Sequence, residues 1–472
     1  MSDGRCIGRK RFEMSDQEMF ARISGDRNPL HLDPLAARRT QAGVVVVHGV
    51  HAMLWALECW LESGGVATVF GISARFDKFI EVGDLVEARA STTRNGTRLE
   101  TYSGRSRLAV FNLRHEERAV PALEDDVGFA LDVIEIPFEP RSLDFDAAAQ
   151  SAGIMQVQEI ASHFPALRHA IGGAATGGLA GVSTLVGMIT PGLHSILAGI
   201  DITFDALATP AGQIAFKVER ARPDVRLLDI AVRGCGLGGT VRTFVRPPPI
   251  TQPTTQDMRA FVGATDFEGR NVLIIGGSRG LGELAAKLLA AGGANVTITY
   301  LVGQSEAEAV QADIVEGGGR CEILRYDALH DPSSQLGNAL DRVDQLYYFA
   351  TTKIFVRTED AFDSAIFQRF YQVYVEGFSR ICTYLSDRGE GARAFYPSSV
   401  AVTDRPPSMT EYAMAKAAGE ILSADISRFV PHVETVMRRL PRLLTDQTAG
   451  TPWIETPSGV DAILDIVREM NR

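Results

Sequence analysis

The chain has 472 residues, and at least two domains are expected because single hydrophobic cores usually stop growing at ~250–300 residues. With 45% hydrophobic and 22% charged residues, the composition excludes a disordered or fibrous protein. The formal net charge of -11 argues against nonspecific binding to nucleic acid or to an anionic membrane, because both need a basic field. The five cysteines are scattered without a C-x-x-C, so neither a disulfide framework nor a zinc cluster is predicted, and a cytoplasmic location is expected.

In the N-terminal half, the same order of predicted elements, an apolar helix followed by strands, occurs two times. A very apolar segment from Val44 to Leu61 precedes the strand-like runs VATVFGISARFDKF, VGDLVEARAST and LETYSGRSRLAVFNLR. In the same way, GLAGVSTLVGMITPG precedes LHSILAGIDITFD, QIAFKVERA, VRLLDIAVRGCG and TVRTFVR. A buried helix followed by consecutive strands is what a helix wrapped by an antiparallel sheet requires. The pattern predicts two hot-dog-like folds in tandem, over residues 1–120 and 121–246.

One stretch has the composition of a membrane span. No Asp, Glu, Lys or Arg occurs from Ile171 to Ile200, and this length would suffice to cross a bilayer. Its many glycines, Pro191 and His194 favour a buried helix followed by a turn instead. The N-terminal segment MSDGRCIGRKRFEM also lacks the apolar run of a signal peptide, so no membrane association is expected.

A polar motif, FARISGDRNPLHLDP, lies near the N-terminus, and its characteristic residues are Gly25, Asp26, Asn28, Pro29, His31 and Asp33. It resembles the signature of MaoC-like, (R)-specific enoyl thioester hydratases, which are hot-dog proteins, and the wider resemblance covers about the first 120 residues. The resemblance implies that Asp26 and His31 hold a water between them and add it to a 2-enoyl thioester, or remove it in the reverse reaction. It also implies that Gly49, in VVHGVHA, donates its backbone N–H to the thioester carbonyl at a helix start.

Asp26 and His31 could instead have structural roles, and nearby histidines could bind a metal. Alone, Asp26 and His31 would be a turn residue and a core histidine, but the complete motif favours catalysis. His48 and His51 could form a metal pair, yet no carboxylate or cysteine is spaced to complete it, so no metal is predicted. Asn28 and Asp33 are expected to shape the loop.

The second hot-dog half contains no second copy of the motif. HFPALRHAIGG, from His163 to Gly173, lies near the corresponding place but lacks the acid. We expect this half to be a non-catalytic partner that shapes the acyl tunnel.

The clearest domain boundary is RPPPITQPTTQ, because consecutive prolines cannot continue a helix or a sheet. We predict a linker over residues 247–266 and a Rossmann domain over 267–472. In the latter, NVLIIGG, NVTITY, CEILRYD, QLYYFAT, ARAFYPSS and VETVMRRL alternate with helical segments. This alternation predicts a doubly wound parallel sheet, giving a multidomain α+β and α/β protein.

The run IIGGSRGLG follows a strand and opens a helix, so its glycines can approach a pyrophosphate at the helix N-terminus; they are Gly276, Gly280 and Gly282. The run resembles the T-G-x-x-x-G-x-G signature of short-chain dehydrogenases, with Ile275 in the usual Thr position, and the resemblance extends from Gly269 onward. The second strand ends in TITYL without an Asp or Glu that could hold a ribose 2′-hydroxyl. Ser278 and Arg279 lie in the turn where a 2′-phosphate would bind, so NADP(H) is the predicted cofactor. Asp327 matches the family's adenine-contacting acid, although a strand-end Asp is also a common turn residue.

The same family uses a Ser, a Tyr and a Lys, and these match Ser399, Tyr412 and Lys416. Tyr412 and Lys416, four residues apart, share one helix face, so the ammonium is expected to lower the phenol pKa from about 10. The resemblance implies that Tyr412 exchanges a proton while hydride moves, that Lys416 also holds the nicotinamide ribose, and that Ser399 binds the substrate oxygen.

The dehydrogenase half departs from its family at two places. Its N-A-G motif is replaced by FATT, from Phe349 to Thr352, and its helical Asn, which supports a proton relay behind the lysine, is replaced by Tyr374. There is also little chain after Leu440 for the usual substrate-covering helices. A degenerate structural or NADP(H)-sensing module is therefore the alternative for this half.

The leading hypothesis is a bifunctional enzyme. A 3-ketoacyl thioester is reduced with NADPH to an (R)-3-hydroxyacyl thioester, which the hot-dog half dehydrates to the trans-2-enoyl product. The sequence leaves open whether coenzyme A or an acyl carrier protein carries the acyl group. A homo-oligomer, dimeric or tetrameric through the Rossmann domain, is expected. A hypothesis of another class is a non-enzymatic subunit of a synthase complex that only binds acyl carriers.

Overall fold

The computed structural model describes residues 4–65, 69–94, 96–115, 131–204, 212–337, 342–356, 361–389, 391–449 and 456–472. The chain divides into two compact units, Met1–Pro248 and Pro249–Arg472. The predicted boundary between the two hot-dog halves, at residues 120 and 121, lies outside the described residues.

The N-terminal unit contains one sheet of eleven strands in the order β1-β3-β4-β5-β2-β8-β11-β10-β9-β7-β6. The strands are β1 (Arg5–Arg11), β2 (Gly71–Phe76), β3 (Leu85–Thr93), β4 (Gly96–Ser103), β5 (Ser106–Arg114), β6 (Val133–Ile134), β7 (Ala152–Gln156), β8 (Ser195–Phe204), β9 (Gln213–Arg222), β10 (Leu227–Gly234) and β11 (Leu237–Val245). The helices are α1 (Met14–Ser24), α2 (Pro34–Arg38), α3 (Gly49–Glu62), α4 (Phe145–Ala149), α5 (Pro165–Ile171) and α6 (Gly173–Thr184). A π-helical turn, Leu185–Ile189, continues α6, and 3-10 turns cover Pro29–His31 and Ala161–His163.

The prediction of a tandem hot-dog fold is confirmed. Helices α3 and α6 are the two buried apolar helices, and both contribute side chains such as Leu54 and Leu179 to one core against the sheet. The halves join where β2 pairs antiparallel with β8, with Gly71 opposite Thr203. The run LETYSGRSRLAVFNLR forms two strands rather than one, because Gly104 has a φ of 58° and turns the chain between β4 and β5.

The uncharged stretch forms all of α6, the π-helical turn and the start of β8. Among the described residues, no single helix has the length and apolar composition needed to cross a membrane. The pair Pro165–Ile171 and Gly173–Ile189 meets those criteria only when taken together, with a bend of 112° between its parts.

Glu58 links the two hot-dog halves. From α3, its buried carboxylate accepts the backbone N–H groups of Ala166 (2.7 Å) and Leu167 (2.9 Å) in the first turn of α5. Glu58→Ala would leave both donors unsatisfied, and we expect it to lower the free energy of unfolding by about 1–3 kcal/mol. The urea midpoint, followed by tryptophan fluorescence, measures this because Trp55 and Trp60 both lie on α3. Exposed Glu62, on the same helix, is the matched control, and an equal effect of Glu62→Ala would contradict the capping role.

The C-terminal unit contains one parallel sheet of six strands in the order β14-β13-β12-β15-β16-β17. The strands are β12 (Asn271–Ile275), β13 (Asn295–Tyr300), β14 (Arg320–Arg325), β15 (Gln345–Tyr348), β16 (Ala392–Ser399) and β17 (Val433–Leu440). The helices are α7 (Thr255–Met258), α8 (Gly280–Ala291), α9 (Gln304–Glu316), α10 (Pro332–Leu336), α11 (Ser364–Tyr371), α12 (Gly377–Arg388), α13 (Ala401–Asp404), α14 (Thr410–Phe429) and α15 (Gly459–Met470), and a π-helical turn (Gln372–Glu376) joins α11 to α12. The strand order reverses between β12 and β15, where ligands bind in doubly wound sheets. The predicted doubly wound fold is confirmed.

The predicted linker, residues 247–266, is too long. Thr254 caps α7, and the hydroxyl of Thr255 donates to Asp313 on α9 at 2.6 Å. Met258 and Val262 are buried in the core of the C-terminal unit. This segment therefore packs against α8 and α9 of the Rossmann unit, where its two apolar side chains are buried. Its Pro- and Thr-rich composition does not predict this burial.

Candidate active sites

The predicted acid–base loop leaves α1 through Gly25, whose φ of 87° turns the chain sharply. Asp26 follows and is 2% exposed. Asn28 fixes the loop, since its amide donates to the carbonyls of Gly187 (3.0 Å) and Gly192 (3.2 Å) in the second half. Asp33 caps α2 by accepting the N–H of Leu35 at 2.8 Å. Both Asn28 and Asp33 therefore have the loop-shaping contacts that the sequence predicts.

Asp26 and His31 lie together in the N-terminal unit. Nδ1 of His31 lies 2.7 Å from the carbonyl oxygen of Val46, so Nδ1 carries the proton of the neutral ring and Nε2 keeps a lone pair. Oδ2 of Asp26 accepts the hydroxyl of Ser183 at 2.6 Å, and Oδ1 accepts the N–H of Asn28 at 3.2 Å. A carboxylate oxygen of Asp26 and a ring nitrogen of His31 lie within 4.8 Å of each other.

Burial sets the protonation of this pair. It raises the pKa of Asp26, while the nearby His31 and the hydrogen bond from Ser183 lower it. Burial also lowers the pKa of His31, against the opposing effect of Asp26. Each shift favours a neutral form, so the two groups come closer in proton affinity than a free carboxylate and imidazole, which suits proton transfer in both directions.

His48 is a member of this site that the sequence argument missed. Its ring stacks on His31 with centroids 3.9 Å apart, and its Nδ1 and Nε2 lie 3.1 Å from Oε1 of Gln17 and 3.2 Å from the carbonyl oxygen of Asp26. His48 groups with Asp26 and His31 rather than with His51, because one ligand atom each of Asp26, His31 and His48 lies within 4.8 Å of the others. Oxygens already contact both nitrogens of His48, so a metal would have to displace one of those contacts.

His51 does not belong to the same group. Its ring stacks on Phe20 at 4.7 Å, and burial lowers its pKa to about 3. His51 is therefore a neutral core histidine. The predicted donor Gly49 is the first residue of α3, where backbone N–H groups have no acceptor within the helix. A Cβ on Gly49 would lie 3.1 Å from the ring of Phe76, so a larger residue would crowd that position.

The second half contributes to the acid–base site, although it lacks the motif. Ser183, on α6, reaches the Asp26 carboxylate, and a Cβ on Gly187 would collide with that carboxylate. Neither residue could be found from the sequence, because Ser183 lies 157 positions from Asp26 and belongs to no motif. The carboxylate is thus enclosed by both halves.

Ser183→Ala should raise the pKa of Asp26 further, because the lost hydrogen bond favours the charged carboxylate. Activity that needs the carboxylate would then disappear at a higher pH as the solution is acidified. A hydrogen bond to a charged group is worth ~1.5–3 kcal/mol, so hydration of an enoyl thioester should slow by roughly tenfold or more at neutral pH. The pH profile of hydration tests this. Thr176→Ala, which removes another hydroxyl of α6, is the control, and an unchanged acid limb in Ser183→Ala would contradict the role.

In the C-terminal unit, the glycine turn follows β12 and opens α8. Gly276 and Gly280 have φ values of 81° and 60°, which other residues rarely adopt, and a Cβ on Gly282 would collide with the carbonyl of Gly276. Apart from its chain neighbours and its own helix, no described atom lies within 4 Å of a Cβ built on Gly280. The turn therefore leaves open space at a helix N-terminus, which fits a dinucleotide pyrophosphate.

The other predicted cofactor residues are Ser278 and Arg279, within this turn, and Asp327, which follows β14. Ser278 is buried, and Nη1 of Arg279 lies 3.5 Å from Oδ2 of Asp446. The carboxylate of Asp327 accepts the N–H of Leu329 at 2.9 Å and lies 2.9 Å from Nδ1 of His330, which are the contacts of a turn residue. Its contact with an adenine stays a prediction.

The structure brings Ser399, Tyr412 and Lys416 together. Ser399 ends β16, and the other two lie on α14. Burial raises the pKa of Tyr412, and a hydrogen bond with Ser399 lowers it. The expectation that Lys416 lowers this pKa is wrong, because its ammonium lies 5.9 Å from the Tyr412 ring centroid and donates instead to the carbonyl of Pro397 at 2.7 Å.

The two departures from the dehydrogenase pattern contact each other. The hydroxyl of Tyr374, in the π-helical turn, lies 2.7 Å from that of Thr351 in the FATT segment. The Tyr374 ring is 1% exposed, and the Lys416 ammonium lies 4.0 Å from its centroid. The aromatic ring thus occupies the space beside the lysine where a small amide was expected.

Comparisons with known proteins identify two families in the chain. Residues 9–110 match the family described as MaoC like domain, and residues 270–432 match the short chain dehydrogenase family. The first match is to a dehydratase family and the second to a dehydrogenase family, so the chain combines a lyase-type unit with an oxidoreductase-type unit. The chain is a fusion of a MaoC-like dehydratase domain with a short-chain dehydrogenase domain.

Three curated relatives lie among the similar proteins. The chain is 27% identical to L-rhamnose 1-dehydrogenase (NADP(+)) of Thermoplasma acidophilum, over 39% of this chain and 74% of that protein. It is 28% identical to fatty acyl-CoA reductase of Acinetobacter baylyi, over 34% and 58%. It is 33% identical to 3-hydroxybutyryl-CoA dehydratase of Methylorubrum extorquens, over 18% and 54%. The chain thus spans little more than half the length of the last two relatives.

Proposed function

We propose that this chain is a bifunctional enzyme of acyl thioester metabolism, an NADPH-dependent 3-ketoacyl reductase joined to a 3-hydroxyacyl dehydratase. The observation that carries the proposal is the enclosed Asp26–His31 pair, whose atoms lie within 4.8 Å in the N-terminal unit. Two relatives whose names include CoA thioesters support the substrate class. The 3-hydroxyacyl thioester is the species that both activities share, which accounts for their fusion.

In hydration, the Asp26–His31 pair removes a proton from water, whose oxygen bonds to C3, and delivers a proton to C2 as the double bond is lost. The N–H of Gly49, aided by the positive end of α3, stabilises the charge that builds on the thioester oxygen. In dehydration the pair works in reverse and releases the C3 hydroxyl as water. Coenzyme A and an acyl carrier protein both fit this chemistry as carriers.

In the Rossmann unit, Gly276, Gly280 and Gly282 would hold the pyrophosphate of NADP(H), with Ser278 and Arg279 toward its 2′-phosphate. When bound, the reduced nicotinamide supplies a hydride to the carbonyl carbon. Ser399 binds the carbonyl oxygen and Tyr412 gives it a proton, so the ketone becomes an alcohol. Lys416 would hold the nicotinamide ribose. The relative whose name includes NADP(+) supports this cofactor. We also propose that the protein is a cytoplasmic homo-oligomer formed through the Rossmann domain.

Crotonyl thioester tests the dehydratase half. With matched crotonyl-CoA and crotonyl-carrier-protein substrates, the enzyme should hydrate one of them to the (R)-3-hydroxy product, identified by chiral chromatography. The preferred carrier then identifies the partner. Hydration of neither substrate, or formation of the (S)-product, would contradict the proposal and favour a subunit that only binds acyl carriers.

A second candidate function has a specific observation behind it. Tyr374 and Thr351 replace family residues beside Lys416, which favours a Rossmann unit that binds NADP(H) without turnover. Fluorescence titration with NADPH and an NADPH oxidation assay with a 3-ketoacyl thioester separate the two functions. Tight binding without oxidation would support the second candidate, whereas oxidation excludes it.

A further inference from the structure

We propose that Tyr374 is a positioning residue of the reductase, whose ring binds the Lys416 ammonium and keeps it charged inside a cage of three tyrosines. This inference rests on the proposed reductase function, because a positioning role for Tyr374 requires that the Rossmann unit catalyses reduction. The contact itself is independent of any substrate.

Three aromatic rings surround the ammonium. Its distances to the ring centroids are 4.0 Å for Tyr374, 5.2 Å for Tyr396 and 5.9 Å for Tyr412. Lys416 is 6% exposed, and its hydrogen-bond acceptor is the Pro397 carbonyl at 2.7 Å. The face of an aromatic ring is negative, so it attracts a cation within about 6 Å, and more strongly when water is excluded. Tyr374 is the nearest ring and thus the main source of this attraction.

Among the described residues, no carboxylate forms an ion pair with Lys416. The carboxylate of Glu420, one turn further along α14, is bound to Arg439 and to the hydroxyl of Ser398 instead. Burial lowers the pKa of Lys416 to about 7. A buried ammonium with no ion partner is costly, so the tyrosine rings and the Pro397 carbonyl are the groups left to favour its charged form.

The position of the Tyr374 ring is fixed from two sides. Its hydroxyl is hydrogen-bonded to Thr351, and its face stacks on Phe370 of α11 with centroids 5.7 Å apart. Its π-helical turn, Gln372–Glu376, holds it between α11 and α12. The unusual FATT segment and the unusual Tyr374 are therefore parts of one arrangement.

This arrangement makes the charge of Lys416 depend on pH near neutrality. The titratable groups facing it are Tyr374 from the π-helical turn, Tyr396 from β16 and Tyr412 from α14, and burial raises the pKa of all three. They stay uncharged at neutral pH, so Lys416 is the group that titrates there. Reduction that needs the ammonium should decline as the pH rises through about 7.

NMR of the full-length protein tests the cage without substrate. The chain has six lysines, so [ε-13C]lysine labelling gives few signals, and Lys416→Arg identifies the one of interest. In the wild type, this signal should be shifted upfield by the ring currents and should titrate near pH 7. Tyr374→Leu should remove most of the upfield shift and lower the midpoint by roughly one pH unit, because the cation–π attraction is lost. Tyr374→Phe should keep both properties.

Tyr371→Leu is the matched control, because it removes a neighbouring tyrosine ring that packs on Phe367 and is not among those facing the ammonium. An unchanged midpoint in Tyr374→Leu would overturn the proposal. If that variant fails to fold, a wild-type Lys416 signal without an upfield shift overturns it equally.

In the reductase assay, the basic limb of the pH profile should move with the NMR midpoint. A wild type that shows the cage by NMR but oxidises no NADPH would refute the proposed reductase function and leave the cage standing.

Discussion

Asp26→Asn should slow hydration of crotonyl thioester by about a thousandfold or more, since general acid–base groups contribute roughly 10²–10⁴ and the other member of the pair cannot act alone. The amide has nearly the same shape as the carboxylate, so the loop and its contacts to the second half should persist. The loss would therefore report on proton transfer. Steady-state absorbance of the enoyl thioester is the measurement.

Asp33→Asn is the matched control for this variant. Asp33 lies in the same loop, and Asn is as good a helix cap as Asp, so α2 and the hydration rate should both be kept. His31→Ala should reproduce the loss seen in Asp26→Asn. Retention of more than about a tenth of the wild-type rate in Asp26→Asn would contradict the assignment of the pair.

Tyr412→Phe should abolish NADPH oxidation with a 3-ketoacyl thioester, to less than about one part in a thousand of the wild-type rate. The phenol is the proton donor to the carbonyl oxygen, and phenylalanine keeps the ring that packs against Tyr374 (5.7 Å between centroids) while removing that proton. Loss of activity would then not arise from a cavity in the core. NADPH binding, measured by fluorescence, should stay within a few-fold of the wild type.

Tyr384→Phe serves as the control, because that hydroxyl donates to the carbonyl of Gly337, away from the Ser–Tyr–Lys set. Hydration of crotonyl thioester should be unchanged in Tyr412→Phe, since the dehydratase residues lie in the other unit. Undiminished NADPH oxidation in Tyr412→Phe would show that another group donates the proton.

Much of both sites could be predicted because their key residues are close in sequence. Asp26 and His31 belong to one loop, and Tyr412 and Lys416 to one helix turn, so local structure alone brings each pair near. The fold followed from periodicity in the same way, with two apolar helices before antiparallel strands and then alternating strands and helices.

The sequence could not reveal what tertiary packing decides. Ser183 reaches Asp26 from another helix, and His48 meets the pair only because α3 begins beside the loop. The direction of the Lys416 side chain depends on Tyr374 and Pro397, which lie on other elements, so the expected effect on Tyr412 was wrong. The linker is shorter than its composition predicts, because burial of Met258 and Val262 depends on a surface formed by distant residues.

The proposed bifunctional enzyme reduces a 3-ketoacyl thioester and dehydrates the product within one chain. Incubation of the wild-type protein with acetoacetyl-CoA and NADPH, followed by chromatography of the thioesters, tests it most directly, and the matching carrier-protein substrate extends it. The amount of NADPH consumed should equal the sum of 3-hydroxybutyryl and crotonyl thioester formed, and crotonyl thioester should be absent in Asp26→Asn. Hydration of crotonyl thioester without any NADPH consumption on either carrier would contradict it.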